Sequence, residues 1–170
     1  MDLGAGSRPL AGWRGQATDS RHSARHLFSQ GNGAAVAAYG DHRPLDRLVE
    51  PAGFNERLQL EWERLKRSTE IQAALVLCDI DHFKRINDTY GHGCSDEVLK
   101  HFASRLREHV RATDMAARIG GEEFAVLLEA ASIEDAQVWA ERFRQDAAAT
   151  AVVCGEVSIS YSASMGGGSP

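Results

Sequence analysis

The chain has 170 residues, enough for one ordinary domain, and sets 19 Lys plus Arg against 24 Asp plus Glu for a net charge of −5. An acidic chain is a poor binder of nucleic-acid polymers, whose affinity rests on neutralised phosphates, although a few local cations or a metal suffice for a single nucleotide. With 43% hydrophobic and 25% charged residues it reads as globular, and no apolar stretch reaches the roughly 20 residues of a spanning helix. The N-terminus lacks the apolar core of a signal peptide, so direct membrane insertion is not expected and any sensor module lies elsewhere. Cys78, Cys94 and Cys154 are widely spaced. They suggest neither a disulfide framework nor a C-x-x-C metal site, which points to a reducing compartment.

Residues 1–44 hold seven glycines (Gly4, Gly6, Gly12, Gly15, Gly31, Gly33 and Gly40) and read as a disordered linker or expression-derived segment. His22 and His26 would share a helix face there, but without a third ligand they are expected to be solvent-exposed. The folded domain is expected over residues 45–166, with 167–170 as a tail. Phe54, Leu58, Leu60, Trp62 and Leu65 predict a surface helix over Gly53 to Ser68. Ile71 to Cys78 is apolar enough for a strand buried on both faces. Ser95 is expected to cap a helix through His109, with Val98, Leu99, Phe102 and Leu106 on its buried face. Ala116 to Ile119 and Phe124 to Leu128 predict a hairpin around Gly120-Gly121, glycine being suited to the positive φ of tight turns. Ser132 and Asp135 form a capping-box pattern before a helix that presents Ile133, Ala136, Trp139, Ala140 and Phe143. Glu156 to Met165 alternates small polar with apolar residues as a half-buried strand. The order strand, helix, strand, strand, helix, strand gives an α+β, ferredoxin-like βαββαβ core with an additional N-terminal helix, its helices packed on a mostly antiparallel sheet.

Two acidic clusters carry the chemistry. One, CDIDHFKRINDTYGH, follows the first strand, and the other, Gly120-Gly121-Glu122-Glu123-Phe124, occupies the hairpin tip. Asp79 and Asp81 are expected to serve different faces, so that only one enters a given site, with Asp81 acting as a helix cap or turn residue. Adjacent carboxylates on a tight turn repel each other unless a cation or solvent relieves them. If the first strand and the hairpin are neighbours, Asp79 converges with Glu122 or Glu123. Carboxylates with a backbone carbonyl are hard oxygen ligands, suited to magnesium shared with substrate phosphates. Taken alone each motif is weak, since an acidic hairpin tip is ordinarily a solvated turn.

The stretches DIDHFKRINDTYGH and RATDMAARIGGEEFAVLL together closely resemble the GGDEF domain, the catalytic domain of diguanylate cyclases, here in a GGEEF form. The resemblance implies a nucleotide-cyclase-like fold and the condensation of two GTP into cyclic di-GMP with release of two pyrophosphates. It implies Mg2+ or Mn2+ as cofactor, and two facing domains in a homodimer, each holding one GTP. Asp79, Glu122 and the backbone carbonyl of Ile80 would be the metal ligands, and Glu123 would stand beside the metals and the attacking 3′-hydroxyl. Phe83 and Lys84 would approach the triphosphate, while Asn87 and Asp96 would read the guanine edge. Arg111 and Asp114, in an R-x-x-D pattern, with Arg142 on the following helix, resemble the family's inhibitory site for its product. The family setting implies a bacterial cytoplasm and a sensor domain in the larger protein.

This sequence departs from the family pattern in three places. DRLVEPAGF, Asp46 to Phe54, stands for a longer opening segment, and Ser95 occupies a position where the family has glycine. After SYSASMG the family continues with a helix bearing Ala-Lys, a Gly-Arg-Asn and a closing strand, whereas this chain stops at GGGSP. Two function classes therefore compete: a C-terminally truncated cyclase domain, and a catalytically inactive module that binds cyclic di-GMP.

Overall fold

A computed structural model describes residues 48–68 and 72–170. The linker reading of residues 1–44, and with it His22 and His26, lies outside the described residues. The chain forms α1 (Pro51–Arg67), β1 (Ala73–Ile80), α2 (Phe83–His109), β2 (Met115–Arg118), β3 (Glu123–Glu129), α3 (Ile133–Ala149), β4 (Val152–Cys154), β5 (Val157–Ile159) and β6 (Ala163–Gly168). The main sheet runs β2-β3-β1-β6 with every neighbour antiparallel. This is the ferredoxin-like arrangement expected from the order of elements.

The central strand β1 is apolar from Ala73 to Cys78 because both its faces are covered there, and it turns polar at exposed Asp79. Ala74, Val76, Cys78 and Ile80 join α2, α3, β3 and β6 in the larger core. The alternate residues Ala73 and Leu75, with partly buried Leu77, pack with Phe54 and Leu58 of α1 in a second cluster. Phe102 lies at the centre of the larger core, its ring 4.7 Å from Phe124 and 5.2 Å from Phe143. α3 opens as the sequence predicts, with Asp135 N donating to Ser132 Oγ at 3.1 Å and Ser132 N donating to Asp135 Oδ2 at 3.0 Å. Among the described residues no helix is long and apolar enough to cross a membrane.

Four local expectations change. Ser95 is not an N-cap: α2 begins at Phe83, breaks at Gly91 (φ 79, ψ 168), and carries Ser95 inside its continuation. The alternating run from Glu156 to Met165 is two strands, because the chain leaves the small β4–β5 hairpin after Ile159 and enters the main sheet at Ala163. Alternation shows which residues are half-buried, and it is blind to a change of sheet. Neither Gly120 nor Gly121 adopts positive φ. Finally, Cys94 and Cys154 form a disulfide across 60 residues of sequence, with Cα atoms 5.6 Å apart. Spacing along the chain could not reveal it, since the kink in α2 and the β4–β5 hairpin are what bring the two together. Cys78 remains a buried thiol, pushed up to about 12 by its burial.

Because Phe102 is fully buried among aromatic rings, Phe102→Ala should cost about 3–5 kcal/mol of stability. Urea unfolding checks this, and a loss under about 1 kcal/mol would contradict the close packing of this core.

Candidate active site

The antiparallel register between β1 and β3 sets Asp79 directly across from Glu123. One step further, Ile80 N donates to the Glu122 carbonyl at 3.3 Å, so the β1 end and the hairpin tip are joined by backbone. Main-chain pairing therefore places the backbone of Asp79 beside that of the two glutamates. Its electrostatic result is a raised pKa for Asp79, caused first by partial burial and then by the charges of Glu122, Glu123 and Asp81.

Asp81 adds its charge to this set, but its carboxylate is engaged elsewhere, for a reason different from the expected one. Residues two apart on a strand share a face, so strand geometry does not separate it from Asp79. Instead β1 ends at Ile80, and the Asp81 carboxylate accepts the Ser162 and Ser164 hydroxyls at 2.6 Å each. Asp81 N also donates to the Ser162 carbonyl at 2.9 Å. It is a turn residue, as expected, but it does not cap α2, whose N-cap is His82 in the left-handed region at φ 57. The serine clamp fixes the turn that presents the Ile80 carbonyl and the first residues of α2.

A Cβ at Gly120 would displace the flexible Glu123 carboxylate and lie a tight 3.2 Å from that residue's own Cβ, whereas Gly121 faces open space. The sequence reading missed Arg118, which braces the same tip. Its Nε donates to the carbonyls of Gly120 and Gly121 at 3.1 Å, and an Nη donates to Gly121 O at 2.7 Å. Burial lowers its pKa, opposed by the neighbouring charges of Asp96 and Glu122. A basic residue two positions before the glycine pair was the available signal.

The residues assigned to the nucleotide lie along α2. Phe83 is partly buried against the larger core and Lys84 is exposed. Asn87 and Asp96 fall on either side of the Gly91 break. Buried Ser95 ties this segment together, its Oγ lying 3.2 Å from Asn87 Oδ1 and 3.1 Å from the Gly91 carbonyl, an acceptor for its single proton in either direction. Among the described residues no three His, Cys, Asp or Glu side chains are grouped to hold a metal by themselves. The candidate set is two carboxylates and one carbonyl, a hard-oxygen donor set with coordination left for phosphate oxygens.

A cavity lies at the other end of the β2–β3 hairpin, about 15 Å along the strands. It measures about 410 Å³ and is lined by Arg111, Asp114, Glu129, Ala130, Trp139 and Arg142 among others. Asp114 is held by backbone, its Oδ2 accepting from Arg111 N at 2.9 Å and its Oδ1 from Glu129 N at 3.2 Å. The guanidinium-bearing residues Arg111 and Arg142 are exposed at its rim.

The sheet order, the acidic hairpin tip and the broken α2 define a class of domain, and comparison with known proteins gives the same class. The sequence model described as "Diguanylate cyclase, GGDEF domain" matches residues 42–169. The chain belongs to the GGDEF family. It is 47% identical over 106 residues, 62% of its length, to diguanylate cyclase DgcP of Pseudomonas aeruginosa, but covers 16% of that protein. It spans about a quarter or less of the other first curated relatives. Among solved structures it is similar to the GGDEF domain of DgcB from Caulobacter crescentus in complex with c-di-GMP, at TM-score 0.70 and 25% identity, covering 77% of this chain and 79% of that one. It is also similar to the active GGEEF domain of a diguanylate cyclase from Vibrio cholerae, at TM-score 0.62 and 31% identity, covering 68% and 72%.

The raised pKa gives a stability test. Folded Asp79 binds its proton more tightly than the unfolded chain does. The stability it contributes is fully present below the ordinary carboxylate range of about 4 and is lost as pH rises through the raised value. Without divalent cations, Asp79→Asn should therefore melt above wild type near neutral pH, and the gain should vanish in acid. Thermal melts at the two pH values check it, and a lower neutral-pH Tm for the variant would contradict the crowding of charge.

Proposed function

We propose that this chain is the catalytic domain of a diguanylate cyclase, condensing two GTP into cyclic di-GMP and two pyrophosphates. The observation that carries the reading is the β1–β3 register, which gathers Asp79, the Ile80 turn, Glu122 and Glu123 at one sheet end beside the broken α2. Asp79, Glu122 and the Ile80 carbonyl would hold Mg2+ or Mn2+. That cation supplies charge neutralisation at the triphosphate and a lower pKa for the attacking hydroxyl. The crowded carboxylates that raise Asp79 are what a divalent cation would relieve.

This chain's residues then bind and orient. Asn87 and Asp96 offer an amide and a carboxylate to the guanine edge, a pattern adenine does not match. Phe83 and Lys84 flank the triphosphate, and Glu123 receives the proton of the 3′-hydroxyl as that oxygen attacks the α-phosphorus of the second GTP. Pyrophosphate leaves, and the same step in the other direction closes the ring. Each GTP needs a partner, so two such domains must face one another in a homodimer. A nucleoside triphosphate substrate would fit a cytoplasmic domain, and the reading would put a sensor elsewhere in a longer protein.

Product would bind in the cavity at the Arg111 end of the hairpin. Arg111 and Arg142 offer charged donors to phosphate or to the guanine Hoogsteen edge, and Asp114 keeps lone pairs for N1 and N2. Binding there would hold activity down from a distance. This reading separates two variants. Glu122→Ala should abolish metal-dependent conversion of GTP, followed by nucleotide chromatography, while keeping cyclic di-GMP affinity in calorimetry. Arg111→Ala should lose about 1.5–3 kcal/mol of that affinity. Turnover that persists in excess chelator would overturn the metal assignment, and unchanged affinity in Arg111→Ala would place the dinucleotide elsewhere.

A further inference from the structure

The Cys94–Cys154 disulfide is attached to the segment assigned to base recognition. Asn87 and Asp96 must hold a fixed relation across the Gly91 break if they are to grip one base edge. That break is exposed: Tyr90, Gly91, His92 and Gly93 all face solvent, and Gly91 and Gly93 meet no neighbouring atom that would restrain a side chain. Two glycines in four residues give the backbone wide freedom. Two restraints act on it where it returns to the helix. One is Ser95, in hydrogen-bond contact with Asn87 and the Gly91 carbonyl. The other is the bond from Cys94, the residue between Gly93 and Ser95, to Cys154 at the end of β4. The β4–β5 hairpin makes a firm anchor, since Val152 and Ile159 at its base are buried in the larger core.

Cys94 and Cys154 are half-buried at the edge of the larger core, whereas Cys78 is fully buried. A site for a nucleoside triphosphate belongs to a reducing compartment, where disulfides are generally transient and regulatory. We propose that the Cys94–Cys154 disulfide positions the base-reading segment of α2, so that guanine-nucleotide affinity and selectivity respond to its reduction. This rests on the nucleotide reading above and adds a means of regulating that site. In the step itself a dithiol reductant supplies two electrons and two protons. The S–S bond breaks, the Cys94 and Cys154 thiols form, and the reductant leaves as its own disulfide.

The test compares oxidised and dithiothreitol-reduced protein in calorimetry with a non-hydrolysable GTP analogue and the matching ATP analogue, both with Mg2+. Thiol counting on the denatured chain should find one cysteine in the oxidised form and three after reduction. Reduction should weaken GTP-analogue binding by about threefold to tenfold, the cost of ordering one or two side chains at binding, and narrow the preference over ATP. Cys154→Ser lies outside the base-reading segment and should match the reduced protein under both conditions. A cooperative melt above the assay temperature confirms that reduced protein and variant are folded. Equal affinity in the two redox states, or three thiols in protein treated with oxidised glutathione, would overturn the proposal while leaving the cyclase reading intact. Binding in neither state would overturn the cyclase reading and the proposal with it.

Discussion

The pairing of β1 with β3 is the constraint on which the rest depends. Side chains alternate along a strand, so a slip of one residue would turn Asp79 away from Glu123 and expose the Val76 and Cys78 set to the wrong face. Burial on both faces of β1 forbids that slip, because α1 covers one set of residues and α2 with α3 covers the other. The positions of the acidic groups are thus enforced by two hydrophobic clusters that contain none of them. Ser162 and Ser164 then lock the turn beyond β1 through Asp81, and Arg118 locks the hairpin tip through the Gly120 and Gly121 carbonyls.

The same arrangement costs stability where it concentrates charge. Asp79 is exposed at the strand end, and partial desolvation with the charges of Glu122, Glu123 and Asp81 raises its pKa. Local backbone choices follow the same logic. His82 and Ala130 sit at positive φ, 57° and 51°, one at the start of α2 and one lining the cavity beside Arg111 and Arg142. Non-glycine residues there are held in place by their surroundings, and both positions adjoin the regions assigned to nucleotide and product.

Much of the fold was legible in the sequence because it rests on local signals. The apolar run of β1, the glycine-centred hairpin and the Ser132–Asp135 capping box each specify their element within a few residues. The convergence of Asp79 with Glu122 and Glu123 was legible only as a condition, that β1 and the hairpin be neighbours, and the register met it. What stayed hidden depends on contacts between distant parts. The disulfide joins positions 60 residues apart, and Asp81 finds its serine partners some 80 residues later. Gly120 was misread for a related reason: a turn glycine suggests positive φ, yet here φ is ordinary and the glycine instead lies close to the Glu123 side chain. Ser95 looked like a cap because a serine stands just before the periodic Val98, Leu99, Phe102 and Leu106, while the structure uses its hydroxyl to tie the two halves of α2 together.

A crystal structure of the chain with Mg2+ and a non-hydrolysable GTP analogue tests the central claim most directly. The account predicts the cation among Asp79, the Ile80 carbonyl and Glu122, with the guanine edge between Asn87 and Asp96. A nucleotide bound away from the β1–β3 end, with those acids contacting neither cation nor phosphate, would contradict it.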